Sequence, residues 1–144
     1  MNQLTGLIAG VEAHGSVALV DVCVEGGLRL SATLLGHPDQ LATWRPALPV
    51  KVLFKETEVA LAKNLQGQIS LRNRIPGVIL AIEKGQILTR VVIAVQGLKD
   101  VAISSVITTR SATHLNLANG DTVEALVKSN EMTIQALSDT EISS

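Results

Sequence analysis

A chain of 144 residues with a formal net charge of −1 and an isoelectric point near 6.3 has room for one ordinary domain or two small ones, and it lacks the long-range field that would attract nucleic acid or an acidic membrane. Hydrophobic residues make up 47% of it, yet Trp44 and Phe54 are its only aromatics, so the core must be aliphatic, and the wealth of Val, Ile and Leu favours strands. No apolar run reaches bilayer length, Met1 to Gly15 has no basic start and is broken by Glu12 and His14, and the lone Cys23 cannot close an intramolecular disulfide, which together point to a soluble cytoplasmic protein.

Taken in order, Leu4 to Ala13 is apolar with Gly6 and Gly10 inserted and reads as a bent strand, followed by a turn at His14-Gly15. Ser16 to Glu25 alternates, with Ala18, Val20, Val22 and Val24 on a buried face and Leu19, Asp21, Cys23 and Glu25 on the other. Gly26-Gly27 is a hairpin turn, and Leu28 to Leu35 returns as a third strand. His37 to Trp44 is a short helical turn bounded by Pro38 and Pro46, and Val50 to Phe54 and Val59 to Lys63 are two more strands.

The order then repeats. Gly6, Glu12, Val20, Val24 and Gly26 are matched 71 residues later by Gly77, Glu83, Val91, Val95 and Gly97. Ser31, Val50, Leu53, Lys55 and Glu58 are matched 73 residues later by Ser104, Val123, Leu126, Lys128 and Glu131. The extra two residues fall in the second repeat's turn at Leu98-Lys99-Asp100, where a hairpin tip tolerates insertion. The expected fold is all-β: tandem small OB-like five-stranded barrels, each with one short helix, over residues 1–66 and 67–138, with a flexible polar tail at 139–144.

Three pieces of the second repeat carry chemistry. Ser70-Leu71-Arg72-Asn73 sets a hydroxyl and a guanidinium two residues apart, on one face of an extended segment, a pairing suited to an oxyanion. Val106-Ile107-Thr108-Thr109-Arg110-Ser111 crosses from strand to helix, with Thr108 or Thr109 as N-cap and Ser111 in the first turn, where backbone N–H groups lack intrahelical partners. Lys128-Ser129 ends the apolar strand Val123 to Val127.

These pieces, with Leu115-Asn116-Leu117 and Gly120-Asp121, resemble the TOBE or Mop domain of molbindins, molybdate-responsive regulators and molybdate transporter ATPase subunits. Two such modules in one chain resemble a di-domain molbindin. That resemblance implies a cytoplasmic protein that stores or buffers molybdate or tungstate, and a homotrimer. It also implies an oxyanion site where modules or subunits meet, with Ser70, Arg72, Lys128 and backbone near Ser129 on one side and Thr108 and Ser111 on the other. The first repeat departs from the pattern: Met1 falls at the place of Arg72, Leu35 at that of Thr108 and Pro38 at that of Ser111, leaving Lys55 alone.

His14, His37 and His114 have no metal-ligand spacing, and Glu12 and Glu83 flank turns as solvated carboxylates do. With no phosphate loop, serine elbow or cysteine–histidine pair, an enzyme is not expected, nor a cofactor beyond the oxyanion ligand. A nucleic-acid-binding barrel would need aromatic platforms and a basic groove. The rival from another class is an interaction module that docks on a molybdate transporter or regulator and senses the anion. Mixed outer faces, such as Leu19 and Cys23 beside Asp21, point to a homo-oligomer.

Overall fold

Each repeat is built on one long strand that turns partway along. In the computed structural model, which describes residues 1–138 and so leaves the expected tail at 139–144 outside the described residues, these are β1 (Asn2–His14) and β6 (Asn73–Lys84). The register of β1 shifts between Ile8 and Gly10, and that of β6 between Ile79 and Ala81, the matching place in the repeat. A bulge adds an unpaired residue, bends the strand and increases its twist. Each long strand can therefore serve two partners. The first half of β1 pairs with β4 (Pro49–Phe54) and the second with β2 (Val17–Val24), while β6 pairs in the same way with β9 (Thr122–Val127) and β7 (Leu88–Val95).

The alternation expected for the second strand is present, with Ala18, Val20, Val22 and Val24 buried, and β7 repeats it with Thr89, Val91, Ile93 and Val95. The third strands, β3 (Arg29–Leu35) and β8 (Ala102–Thr108), each lead into a short helix, α1 (Pro38–Leu41) or α2 (Thr109–His114). The fifth strands are β5 (Ala60–Ala62) and β10 (Thr133–Ala136), each reached through a 3-10 turn, Glu56–Glu58 or Ser129–Glu131.

The fifth strands change partners. One sheet has the order β10-β4-β1-β2-β3 and the other β5-β9-β6-β7-β8, so each repeat gives its last strand to the other's sheet. Ala60 lies opposite Leu126, and Thr133 opposite Leu53. The sequence boundary at residues 66 and 67 is thus not a boundary between sheets. The two connections run alike: Lys55 and Val59 flank the first 3-10 turn in extended conformation, and Lys128 and Met132 flank the second.

One apolar cluster spans both sheets, joining Leu30, Val52 and Phe54 of the first repeat to Ile75, Ile93 and Met132 of the second. Two buried asparagines also join the repeats. Asn73 accepts from the Ser31 N–H at 2.7 Å and donates to the Ser31 carbonyl at 2.9 Å, and Asn2 does the same with Ser104 at 2.8 and 2.7 Å. Each side-chain amide supplies the donor and acceptor that a neighbouring strand would otherwise offer. The two hairpin turns meet at Gly26 and Gly97, at φ 84° and 82°, where a Cβ on Gly26 would stand 2.9 Å from the Gly97 carbonyl oxygen. Both the left-handed backbone and the close approach call for glycine there.

Candidate functional site

The β6–β9 ladder ends at the pair Asn73–Val127, so the next two residues, Arg72 and Lys128, face each other just beyond it. Both side chains are exposed, and neither has a hydrogen bond or ion pair among the described residues. Like charges directly across a strand pair destabilise it, and a dianion between them would turn that repulsion into attraction. Lys128 is extended (φ −67°, ψ 145°) at the start of the Ser129–Glu131 turn, and the Ser129 hydroxyl shares a 2.8 Å hydrogen bond with that of Thr33 on β3. Ser70 is exposed in the segment leading into β6.

Thr108 and Ser111 form a second group. Thr108 is the N-cap of α2: its Oγ1 accepts from the Ser111 N–H at 3.0 Å and donates to the Ser111 Oγ at 2.8 Å. These hydroxyls, with Arg110 and His114, line a cleft of about 540 Å³ whose other wall includes Ala60 and Leu61 of the exchanged strand β5. Thr108 pairs with Leu88 at the start of β7, whereas Arg72 and Lys128 lie beyond the end at which Val95 pairs with Gly77. No hydrogen bond or ion pair joins the two groups among the described residues. The structure therefore brings Arg72, Lys128 and Ser129 together in one group and Thr108 and Ser111 in another, with no bond between the two among the described residues.

The first repeat has a different surface at the matching end. Lys55 follows Phe54, whose partner is Asn2, so Met1 stands across from it as Arg72 does from Lys128. Glu56 occupies the place of Ser129, and its carboxylate accepts from Arg90 at 3.1 and 3.2 Å, while Arg90 also reaches Glu83 at 3.1 Å. The hydrogen bonds that Arg90 donates, to Glu83 first and then to Glu56, push its pKa up. Glu58 shares a hydrogen bond with Glu131, and that bond, with the repulsion between the two, raises the Glu58 pKa. At the other end Leu35 is 79% exposed, Pro38 opens α1, and the cap is the His37 Nδ1, which accepts from the Asp39 N–H at 3.2 Å. Carboxylates and apolar atoms thus stand where the second repeat carries hydroxyls.

Three residues with a part in this arrangement escaped the sequence reading. Thr33 gave no signal, because its bond to Ser129 spans 96 positions between repeats. Asn73 lies inside the Ser-x-Arg-Asn run, and its role was open to detection because Asn2 precedes it by the same 71 residues as the other matched pairs. Lys63, the third, lies just past β5 and reaches the end of α2. Among the described residues no group of three or more His, Cys, Asp or Glu side chains could hold a metal ion, and no helix is long and apolar enough to cross a membrane.

No protein of curated function matches the sequence. Among solved structures, a crystal form of the cytoplasmic molybdate-binding protein ModG, grown from PEG with molybdate bound, aligns with a TM-score of 0.88 at 23% identity, covering 94% of this chain and 96% of that one. At this identity the likeness is one of fold, and it extends over both repeats. The sequence match is narrower and more specific: residues 69–134 match the TOBE domain, a stretch that includes Ser70, Arg72, Thr108, Ser111, Lys128 and Ser129. Within residues 69–134, and there alone, the sequence is similar to the TOBE domain.

Proposed function

We propose that this protein binds molybdate or tungstate as the intact oxyanion, without catalysis, and serves as a cytoplasmic store or buffer for it. The observation that carries the reading is the facing pair Arg72 and Lys128, two cations across a ladder end with no carboxylate on either. A tetrahedral dianion taken out of water needs about two compensating charges and many donors. Arg72 and Lys128 offset the charge, and hydroxyls of Ser70, Ser129, Thr108 and Ser111 supply neutral bonds.

The anion lies between copies of the chain. Arg72, Lys128 and Ser129 of one copy meet Thr108 and Ser111 of the next, because within one copy the two groups form separate clusters with no bond between them among the described residues. Such a contact is head-to-tail, and head-to-tail contacts that close form a ring. A trimeric ring is the number implied by the resemblance to di-domain molbindins. Exposed apolar side chains beside the hydroxyl group, Ile87 at 75% and Leu88 at 54%, offer surface for that contact.

Native mass spectrometry with molybdate and with tungstate tests the reading by counting subunits and anions together. The expected result is a closed homo-oligomer that takes up either dianion without another protein. A chain that binds only in complex with a transporter or regulator would make it a sensing module instead. A monomer that binds anion fully would overturn the shared site.

A further inference from the structure

We propose that Lys63, a residue of the first repeat, positions the Thr108 and Ser111 half of the site and so sets its anion affinity, an inference that rests on the functional reading above. Lys63 immediately follows β5, the strand given to the second repeat's sheet. Its ammonium spends its three donors on one region: the carbonyls of Leu115 at 3.3 Å and Asn116 at 3.1 Å, and Asp121 Oδ2 at 3.0 Å. The two carbonyls are those left without intrahelical partners where α2 ends, a place that favours a cation. Leu115 in turn donates its N–H to the Ser111 carbonyl at 3.0 Å, so the residue that carries one site hydroxyl is a single hydrogen bond away from a carbonyl that Lys63 holds.

The loop after the helix is tied to the same ammonium. Asp121 Oδ2 also accepts from the Ala118 N–H at 2.9 Å, and the Lys63 bond and then this one hold the Asp121 carboxyl below its usual range. Asn116 sits at φ 51°, a left-handed conformation that a non-glycine residue keeps only when its surroundings fix it. The repeat supplies the contrast. The residue 73 after Lys63 is Ala136, and the one 73 before Asp121 is Leu48, so α1, which carries no site hydroxyl, has neither partner of this clamp. The clamp is present only on the helix that bears Thr108 and Ser111.

The test compares Lys63→Ala with Ser105→Ala in the full chain. Ser105 Oγ donates to the Val59 carbonyl at 2.7 Å, so its loss loosens the same exchanged segment without touching α2. Molybdate titration by calorimetry should show Lys63→Ala weakened about ten-fold, in the range seen when a residue that supports a ligand rather than touching it is removed. Ser105→Ala should bind as the parent does although its melting temperature falls. Without anion, hydrogen exchange at the Leu115 amide should speed up in Lys63→Ala and not in Ser105→Ala. Equal affinity losses in the two variants, or an unchanged Leu115 exchange rate, would overturn the positioning role. A parent protein that binds no molybdate would sink the functional reading along with this one, whereas a parent that binds and a Lys63→Ala that binds equally well sinks this one alone.

Discussion

Arg72 and Lys128 lie at matching points on neighbouring strands, and the first repeat's Lys55 lies where Lys128 does, yet the three differ in surroundings. Lys55 faces Met1 and is followed by Glu56, whose carboxylate is committed to Arg90. Removing Arg72 or Lys128 takes a charge-assisted partner from a desolvated dianion, a loss of roughly 2–3 kcal/mol or about 30- to 150-fold in affinity. Removing Lys55 takes away an exposed charge with no role at the anion, worth roughly 0–1 kcal/mol. Parallel molybdate titrations of Arg72→Ala, Lys128→Ala and Lys55→Ala should separate the first two from the third, and equal losses for both lysines would give the first repeat a working site. At this scale the helix cap was legible in the sequence because it is local: Thr108 caps α2 through Ser111, three residues on. Thr33 was invisible to it, since nothing local ties Thr33 to Ser129.

The strands were legible because their alternation is strong, and β2, expected from Ser16 to Glu25, spans Val17–Val24. The exchange of fifth strands was not. β5 is only Ala60-Leu61-Ala62, and a duplicated chain offers it two similar edges, β4 and β9, between which so short an apolar segment contains no means of choosing. The exchange has an electrostatic consequence where the two 3-10 turns meet, since it brings Glu58 of one against Glu131 of the other. The Glu58 pKa is raised, by the bond to Glu131 first and then by repulsion from it, while Lys55 pulls the other way. A carboxyl with a raised folded-state pKa contributes stability that is complete below its unfolded value and is lost as pH rises through the folded value. Glu131→Gln, which keeps a hydrogen-bonding side chain and removes the repelling charge, should therefore melt higher than the parent at neutral pH. That advantage should vanish in acid, where the parent pair holds its proton. Thermal melts from pH 4 to 8 check this, and a constant difference across the range would show that the pair is not coupled.

At the scale of the molecule, duplication and exchange bear on whether either repeat is a domain in its own right. The first repeat contributes Val59 and Phe54, and the second Met132, to one cluster in which each is at most 2% exposed. Asn2 and Asn73 fasten β1 to β8 and β6 to β3. A chain cut between residues 66 and 67 would separate every one of these contacts. Each half would keep four strands in register but lose the strand that covers β4 or β9, and the backbone groups of half-buried Ser31 and buried Ser104 would lose their amide partners, at up to roughly 1–3 kcal/mol for each group left unsatisfied. Domains of this size have only about 5–15 kcal/mol to lose. Fragments 1–66 and 67–144 should therefore each show no cooperative melt alone and regain one when mixed, with a midpoint that rises with concentration as for any obligate pair. The competing outcome has a definite structural meaning. If 67–144 melts cooperatively alone, β10 can fold back onto β9 within its own repeat, and the exchange is then one of two closures open to the sequence rather than a requirement of the fold.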